Sequence, residues 1–359
     1  MEAPSTPPAP EGAPRPLVPL PDQWFVACRA AALRRAPLAV TIQGVPLALF
    51  RGAGGRPAAL EDRCPHRNAP LSEGRVRAGE LECRYHGWRF GGDGACLAVP
   101  GLTGPPGARA ARAPAYPCLE QDGFLWVYST PGDAPVRGPP RLPHLEDGRY
   151  TTARRELEVR ATLLAALENT LDVPHTAFLH RGLFRTGGAG PVVEVVVRRF
   201  ADRCEAEYLG EPRPRGLAGR LLAPGGGVVA HVDRFLLPSL AQVEYRLGEA
   251  SHLVVTTAMT PVDRLRTRLF SVATFRLPLP GLLVRPAISP LAALILRQDA
   301  WMLRLQSDNV ERFGGERFAS SELDVLGPQI ARLLREAARR APAPDPGAPE
   351  HEHRVRMRP

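Results

Sequence analysis

The sequence has no lysine, so all 46 of its permanently basic side chains are arginine. That absence excludes a lysine Schiff base to a carbonyl or pyridoxal cofactor, a lysine nucleophile and the GxxxxGK phosphate loop. Arginine keeps its proton in proteins, so it supplies no general base either. Long apolar runs are also missing: the most apolar stretch, Leu277 to Leu296, is interrupted by Pro278, Pro280, Arg285, Pro286 and Pro290. The N-terminus is acidic and proline-rich and carries no leader-like pattern. A soluble, cytoplasmic protein with no membrane association is the expectation. Six irregularly spaced cysteines in 359 residues do not make a secreted disulfide framework. Lysine depletion beside 40 prolines and 34 glycines fits a GC-rich coding bias, a property of the genome and not of the fold.

Against 37 acids, the arginines leave a net charge of +9, which invites a nucleic-acid or anionic-membrane partner. The distribution argues against it. Residues 22–130 hold 13 arginines and 9 acids, and residues 150–340 hold 26 and 20, so the excess is spread over the chain and not gathered into a basic stripe. We expect no nucleic-acid partner.

Residues 1–21 contain eight prolines and read as a disordered or polyproline tail. From Trp24 to about Tyr128 short β-like runs (Leu38 to Ile42, Pro46 to Phe50, Gly123 to Tyr128) alternate with glycine or proline, as expected for an all-β domain over 22–130. Residues 131–149 form a linker by composition, with five prolines and two glycines between Pro131 and Pro143. Residues 150–340 mix β-rich runs (Pro191 to Phe200, His252 to Thr260, Leu269 to Leu277) with helical stretches at Thr162 to Asn169, Pro290 to Val310 and Ser321 to Arg340, the last with Ser320 or Ser321 as its cap. Such interleaving predicts an α+β domain on an antiparallel sheet. Residues 341–359 show no periodicity and read as a second tail.

In the β domain the chain reads Cys64-Pro-His66, then sixteen residues, then Cys83-Arg-Tyr-His86. Cys2His2 is a legitimate structural zinc set, but zinc fingers group a cysteine pair and then a histidine pair. Here each half supplies one of each, which suits a [2Fe–2S] cluster with both thiolates on one iron and both imidazoles on the other. With its flanks, Arg63-Cys64-Pro65-His66-Arg67 and Tyr85-His86-Gly87-Trp88, the stretch Cys64 to Pro100 resembles the CPHR…CxYHGW pattern of Rieske domains. Two neutral imidazoles in place of two thiolates raise the potential and make the site a mild one-electron carrier. Cys28, Cys96, Cys118 and Cys204 lack ligand spacing and read as small buried hydrophobes.

The second domain contains Glu168-Asn-Thr-Leu-Asp172-Val-Pro-His175-Thr-Ala-Phe-Leu-His180. Histidines five apart do not share one face of a regular helix. For both to meet one metal the backbone must leave α geometry, and Pro174 gives a local reason. A DxxHxxxxH segment downstream of a Rieske signature resembles the Rieske non-heme iron oxygenases, over about residues 22–320. That resemblance implies a helix-grip type of catalytic domain and a 2-His-1-carboxylate triad on Fe(II), open to O2. His175 and His180 stand at the two histidine positions. For the carboxylate, Asp299 and Asp308 are the candidates; the Gln298-Asp299 context with Met302 and Gln306 resembles the family's ligand segment, and Asp308 reads as an exposed helical acid. Asp172 stands where the family carries electrons from one subunit's Rieske histidine to its neighbour's iron, and its carboxylate would also orient a metal-bound imidazole. Glu168 and Asn169 precede it at matching places.

The resemblance further implies a terminal oxygenase that uses O2 to hydroxylate or oxidatively demethylate an aromatic or polycyclic organic substrate, assembled as a head-to-tail homotrimer. No GxGxxG fingerprint is present, so NAD(P)H electrons must come through a separate reductase or ferredoxin. Asn68-Ala69-Pro70-Leu71-Ser72-Glu73-Gly74-Arg75-Val76 resembles the monooxygenase and demethylase branch, which includes pheophorbide a and chlorophyllide oxygenases and vanillate demethylase. Unlike the membrane-anchored relatives, the chain shows no C-terminal span. The competing expectations are a Rieske electron carrier without oxygenase chemistry and a zinc-stabilised binding module. Substrate-pocket walls are expected from about residues 200–270.

Overall fold

The computed structural model describes residues 17–104, 106–107, 111–132, 135, 137–181, 192–211, 229–248, 251–278, 281–339 and 347–358. In chain order the N-terminal strands are β1 (Trp24–Arg29), β2 (Leu38–Ile42), β3 (Val45–Arg51), β4 (Pro57–Glu61), β5 (Arg75–Arg77), β6 (Glu80–Glu82), β7 (Arg89–Phe90), β8 (Cys96–Ala98), β9 (Ala115–Tyr116), β10 (Cys118–Gln121) and β11 (Phe124–Tyr128). They form three small sheets, ordered β1-β11-β10, β2-β3-β4-β9 and β5-β6-β7-β8. Three of the hairpins turn on two residues that both have positive φ: Gln43-Gly44, Ala78-Gly79 and Asp122-Gly123. Such turns match the right-handed twist of the strands they join, which is why glycine recurs at the second place.

The C-terminal part is one antiparallel sheet of eight strands: β12 (Thr151–Val159), β13 (Val193–Arg199), β14 (Arg203–Leu209), β15 (Val229–Leu236), β16 (Leu240–Leu247), β17 (Ser251–Asp263), β18 (Arg266–Arg276) and β19 (His351–Met357). Their order is β12-β18-β17-β16-β15-β14-β13-β19. The helices are α1 (Leu163–Leu171), α2 (Thr176–Leu179), α3 (Gly281–Arg312) and α4 (Gly327–Ala338). Alternation along the strands divides the sheet into two faces. Val195, Ala206, Phe235, Ala241, Met259 and Leu269 bury one face together with Leu167 and Leu171 of α1, Leu303 of α3 and Ile330 and Leu333 of α4. On the other face Leu240, Ala258, Phe270 and Val272 pack against Trp24, Val26, Phe124 and Trp126 of the N-terminal strands. Each such large apolar side chain, fully buried, contributes on the order of 2 kcal/mol. The Thr260 hydroxyl donates to the Val26 carbonyl at 2.6 Å, which ties the two parts together. An α+β chain with an all-β N-terminal part is the architecture expected.

Five features differ from the sequence expectation. Residues 1–16 and 341–346 lie outside the described residues, but neither tail is structureless throughout. Leu20 is 3% exposed and exchanges backbone hydrogen bonds with the Gln43 amide. His351–Met357 pairs along Val193–Arg199 as the sheet's edge strand, with Val355 and Met357 turned into the core; the alternation was masked by charged outward residues. The proline-rich linker is strapped down: Trp24 Nε1 donates to the Arg137 carbonyl, Gln121 Nε2 to the Pro139 and Pro140 carbonyls, and Leu142 is buried. Ser321 caps no helix. It binds the Asp324 carboxylate in a turn, and α4 begins only at Gly327, with Pro328 in its first turn. Finally, α3 runs through Pro286 and Pro290 rather than starting at the latter.

Candidate active site

The cysteine–histidine loops follow β4 and β6 and share one construction. Cys64 donates its N–H to the Ala69 carbonyl and accepts at its own carbonyl from Asn68; Cys83 donates to Trp88 and accepts from Gly87. The fourth residue after each cysteine has positive φ, 61° at Asn68 and 70° at Gly87. Asparagine and glycine are the residues that tolerate this conformation. Both cysteines are 2% exposed and sit in a cluster with Phe50, Leu60, Leu71, Leu81 and Phe90. The two imidazoles lie 4.6 Å apart by ring centroid, with Trp88 stacked on His66 and Tyr85 against His86. Burial, and then the hydrogen-bonded neighbour Cys83, push the Cys64 thiol up to about 11.

The donor set fits a [2Fe–2S] cluster on this structure's own terms. Two buried thiols are adjacent, two imidazoles face the same place, and the buried Nδ1 of His66 has no hydrogen-bond partner. Buried polar atoms are rarely left unpaired without a functional reason. A cation would deprotonate the thiols that burial otherwise keeps protonated.

The second site forms where α1, α2 and α3 meet. Asp172 leaves α1 in an extended conformation, and its Oδ2 accepts the His175 N–H at 3.1 Å. Pro174 follows, and α2 is a single turn with His175 and His180 as its two flanking residues. This departure from a continuous helix brings histidines five apart onto one point, as their spacing required. From α3, 119 residues beyond His180, Asp299 completes the group; the three ligand atoms all lie within 4.8 Å of one another. Asp299 Oδ1 is 3.0 Å from His180 Nε2 and 3.6 Å from His175 Nε2.

Each histidine is aimed by an oxygen on its other nitrogen. His175 Nδ1 lies 2.5 Å from the Asp172 carbonyl and 3.4 Å from its carboxylate, and His180 Nδ1 lies 2.8 Å from Gln298 Oε1. Nδ1 is therefore a donor in both rings, and both Nε2 atoms converge beside Asp299. Burial opposes charge on His175, but Asp172 and Asp299 outweigh it and lift its pKa to about 9. For Asp299 burial likewise opposes charge, and the hydrogen bonds from the two histidines prevail and lower its pKa. The proton on His175 thus stands in for a cation, and two neutral imidazoles with one carboxylate are the donor set that suits Fe(II). Asn169 Nδ2 reaches Asp299 Oδ1 at 3.4 Å. Asp308 is placed elsewhere, in surface ion pairs with Arg160 and Arg304.

Gln298 was not singled out from sequence, although it precedes Asp299 directly and a polar residue there invites a supporting role. The pocket walls expected from about residues 200–270 fall in part on 212–228 and 249–250, which lie outside the described residues. A cavity of about 1190 Å³ opens beside Asp172 and His175, and it is lined by α1, α2, α3 and residues between 313 and 327, including Glu168, Phe178, Trp301 and Phe318. Burial and the nearby Asp324, Glu316 and Asp172 carboxylates raise Glu168 to about 7.

Residues 23–117 match the Rieske [2Fe-2S] domain family, and residues 159–340 match the vanillate O-demethylase oxygenase C-terminal domain family. The chain belongs to the Rieske oxygenase family. It is 30% identical to 4beta-methylsterol monooxygenase of Methylococcus capsulatus over 88% of this chain and 86% of that one. With the oxygenase component of dicamba O-demethylase from Stenotrophomonas maltophilia it shares 36% identity over 46% of this chain and 49% of that protein. Across several curated relatives the matched part spans from 26% to 51% of their length. Dicamba monooxygenase bound to 3,6-dichlorosalicylic acid has the same fold, with a TM-score of 0.74 over 89% of this chain and 98% of that chain at 24% identity. As a Rieske oxygenase the chain carries the family's [2Fe–2S] cluster domain and mononuclear-iron catalytic domain.

Proposed function

We propose that this Rieske oxygenase is the terminal component of a multicomponent system that hydroxylates or oxidatively demethylates an aromatic or polycyclic organic substrate with O2. The observation that carries the proposal is the convergence of His175 Nε2, His180 Nε2 and the Asp299 carboxylate in the same chain as the Cys64/His66/Cys83/His86 loops. When bound, the cluster supplies single electrons and the mononuclear iron supplies O2 activation. The curated relatives named as demethylases and monooxygenases support this choice of reaction.

The protein's own residues divide the work. Asp172 fixes the His175 ring through its carbonyl, which leaves its carboxylate, 37% exposed, available to a partner histidine at the mouth of the cavity. Gln298 and Asn169 hold His180 and Asp299 in place. A separate reductase or ferredoxin delivers electrons originating in NAD(P)H to the cluster.

The assembly we infer is a head-to-tail homotrimer. The cavity mouth carries Phe178, Trp301 and Phe318, all at least half exposed, among the acids Glu168, Asp172, Glu316 and Asp324. The cluster loops carry exposed Tyr85 and the cations Arg63, Arg67 and Arg84, so the two surfaces are complementary in charge and in apolar character. A cytoplasmic location belongs to the same proposal; among the described residues no helix is long and apolar enough to cross a membrane. Metal analysis with electron paramagnetic resonance on anaerobically purified protein tests the reading. We expect about three irons per chain, falling to about two in His175→Ala with the signal of the reduced cluster unchanged. Unchanged iron in that variant would leave only an electron carrier.

A further inference from the structure

The eight-stranded sheet ends differently on its two sides. At β12 the neighbour is α3, which lies along that strand; the Ser307 hydroxyl donates to the Arg160 carbonyl, and Asp308 pairs with the Arg160 guanidinium. At β19 the order stops, and among the described residues no strand pairs with the outer side of His351–Met357. Such an edge presents a row of backbone N–H and C=O groups, and proteins commonly blunt it with charge. β19 is charged, but its signs are segregated. The acids Glu350 and Glu352 come first and the bases Arg354, Arg356 and Arg358 last, and all five are exposed. Alternation puts them on the face turned away from the helices, while Val355 and Met357 enter the helix-side core. They end a ladder of alternating sign: Arg198 of β13 binds Glu207 of β14 at 2.9 Å and Glu352 at 2.8 Å, and Arg354 binds Glu194 of β13.

A strand that is acidic in its first half and basic in its second is complementary to itself when antiparallel. Two copies related by a two-fold axis normal to the sheet keep their faces aligned only if one residue sits on the axis, opposite its own copy. With His353 there, Glu352 faces Arg354 of the copy and Glu350 faces Arg356, and no like charges meet. Every other position in β19 brings like charges together. Glu352, Arg354 or Arg356 on the axis faces itself, His351 sets Glu350 against Glu352, Val355 sets Arg354 against Arg356, and Met357 sets Arg356 against Arg358. His353 is half-buried, and burial and then His351 lower its pKa, so the ring on the axis meets its copy uncharged.

We propose that the β19 edge is an interface for a second copy of this chain, paired antiparallel about a two-fold axis at His353, so that two eight-stranded sheets join edge to edge. Glu352 then stands between Arg198 of its own chain and Arg354 of the copy, and the ladder of alternating sign runs from one sheet into the next. Backbone hydrogen bonds supply the attraction, while the segregated charges set the register and refuse strands of other sign order. None of these residues lines the cavity beside Asp172 and His175. The interface is therefore independent of the oxygenase reading, and it joins two assemblies of whatever size the chain otherwise forms.

Cross-linking and light scattering on the full-length holoprotein test the interface. His353→Cys places two thiols on the axis, where directly opposed Cα atoms lie about 4.5–5.5 Å apart, within reach of a disulfide. Arg356→Cys, on the same edge, would lie roughly 20 Å from its copy and out of reach. Oxidation with diamide should link most His353→Cys chains into covalent pairs on a non-reducing gel and leave Arg356→Cys and the wild type as single chains. By light scattering across a dilution series, Glu352→Arg and Arg354→Glu should each halve the mass of the assembly and weaken pairing about tenfold or more, because each sets like charges opposite one another. An equimolar mixture of those two variants should recover the wild-type mass, since each then faces its opposite; the contacts within each chain are the same alone and mixed, so recovery reads the interface and not a folding defect. No covalent pair from His353→Cys, equal linkage of Arg356→Cys, masses unaltered by the charge reversals, or no recovery on mixing would overturn the proposal.

Discussion

The two metal-binding regions solve the problem of holding imidazole on iron in opposite ways. At the cluster loops the negative charge would come from the two cysteines as metal-bound thiolates, and the histidines are flanked by rings: Trp88 stacks on His66, and Tyr85 lies tilted against His86. At the α1–α2–α3 site every histidine is tethered to an oxygen on the far side, the Asp172 carbonyl or the Gln298 amide, and faces a carboxylate on the near side. Exposure follows the same division. His86 and Tyr85 are open to solvent, whereas the His180 side chain is only 2% exposed. A centre that only exchanges electrons needs an accessible edge, and its geometry is fixed by tight loops. One that must keep a coordination position open needs its ligands held from behind.

The comparison can be broken by substitutions that act on one region alone. The largest effect is expected from Asp172→Asn, which keeps the His175 tether through the backbone carbonyl but removes the charge at the cavity mouth. Both iron complements should persist while turnover with a functional reductase falls by roughly 100-fold; normal turnover would take Asp172 out of the electron path. Next is Gln298→Leu. Without an acceptor on Nδ1, His180 loses its orientation, and competition with a chelator should show mononuclear iron bound about 10- to 100-fold more weakly, with the cluster spectrum unaltered. Gln298→Glu should restore most of the affinity. A smaller effect is confined to the other region: Gly87 has φ +70°, and a Cβ there would approach Pro100 Cγ to 2.9 Å. Gly87→Ala should cost on the order of 1–2 kcal/mol and release cluster more readily on heating, while Asn68→Gly in the sister loop should be near neutral.

The smallest effect concerns pH. Glu168 is raised to about 7 by burial first and then by Asp324, Glu316 and Asp172. The folded state therefore binds its proton more tightly than the unfolded chain does. Its contribution to stability is fully present below the ordinary glutamate pKa, declines as pH rises through the window up to about 7, and is level above it. Glu168→Gln should flatten that decline in denaturation midpoints between pH 5 and 8, and an unchanged slope would assign the pH dependence elsewhere.

The cluster loops were the more legible region because all four candidate ligands lie within 23 residues, each beside a turn signal, so spacing alone narrowed the chemistry. For the second site, spacing established only that His175 and His180 need a break in the helix at Pro174. Asp299 lies more than a hundred residues away, and composition around it did not distinguish it from Asp308; the resemblance to a family made the choice, and the fold brings Asp299 and not Asp308 to the histidines. The antiparallel sheet was visible in its longer strands. Its edge was not, because β19 turns charged side chains outward along Glu352, Arg354 and Arg356, and a partnerless strand of that composition reads like a tail.

The claim that the chain holds two separable metal centres is tested most directly by iron counting and electron paramagnetic resonance on one reciprocal pair, Cys83→Ser and His180→Ala, purified anaerobically beside the wild type. The account predicts that Cys83→Ser loses the reduced-cluster signal and keeps about one iron per chain, while His180→Ala keeps the signal and about two irons. Loss of all iron in both variants, or an unchanged iron content in His180→Ala, would contradict it.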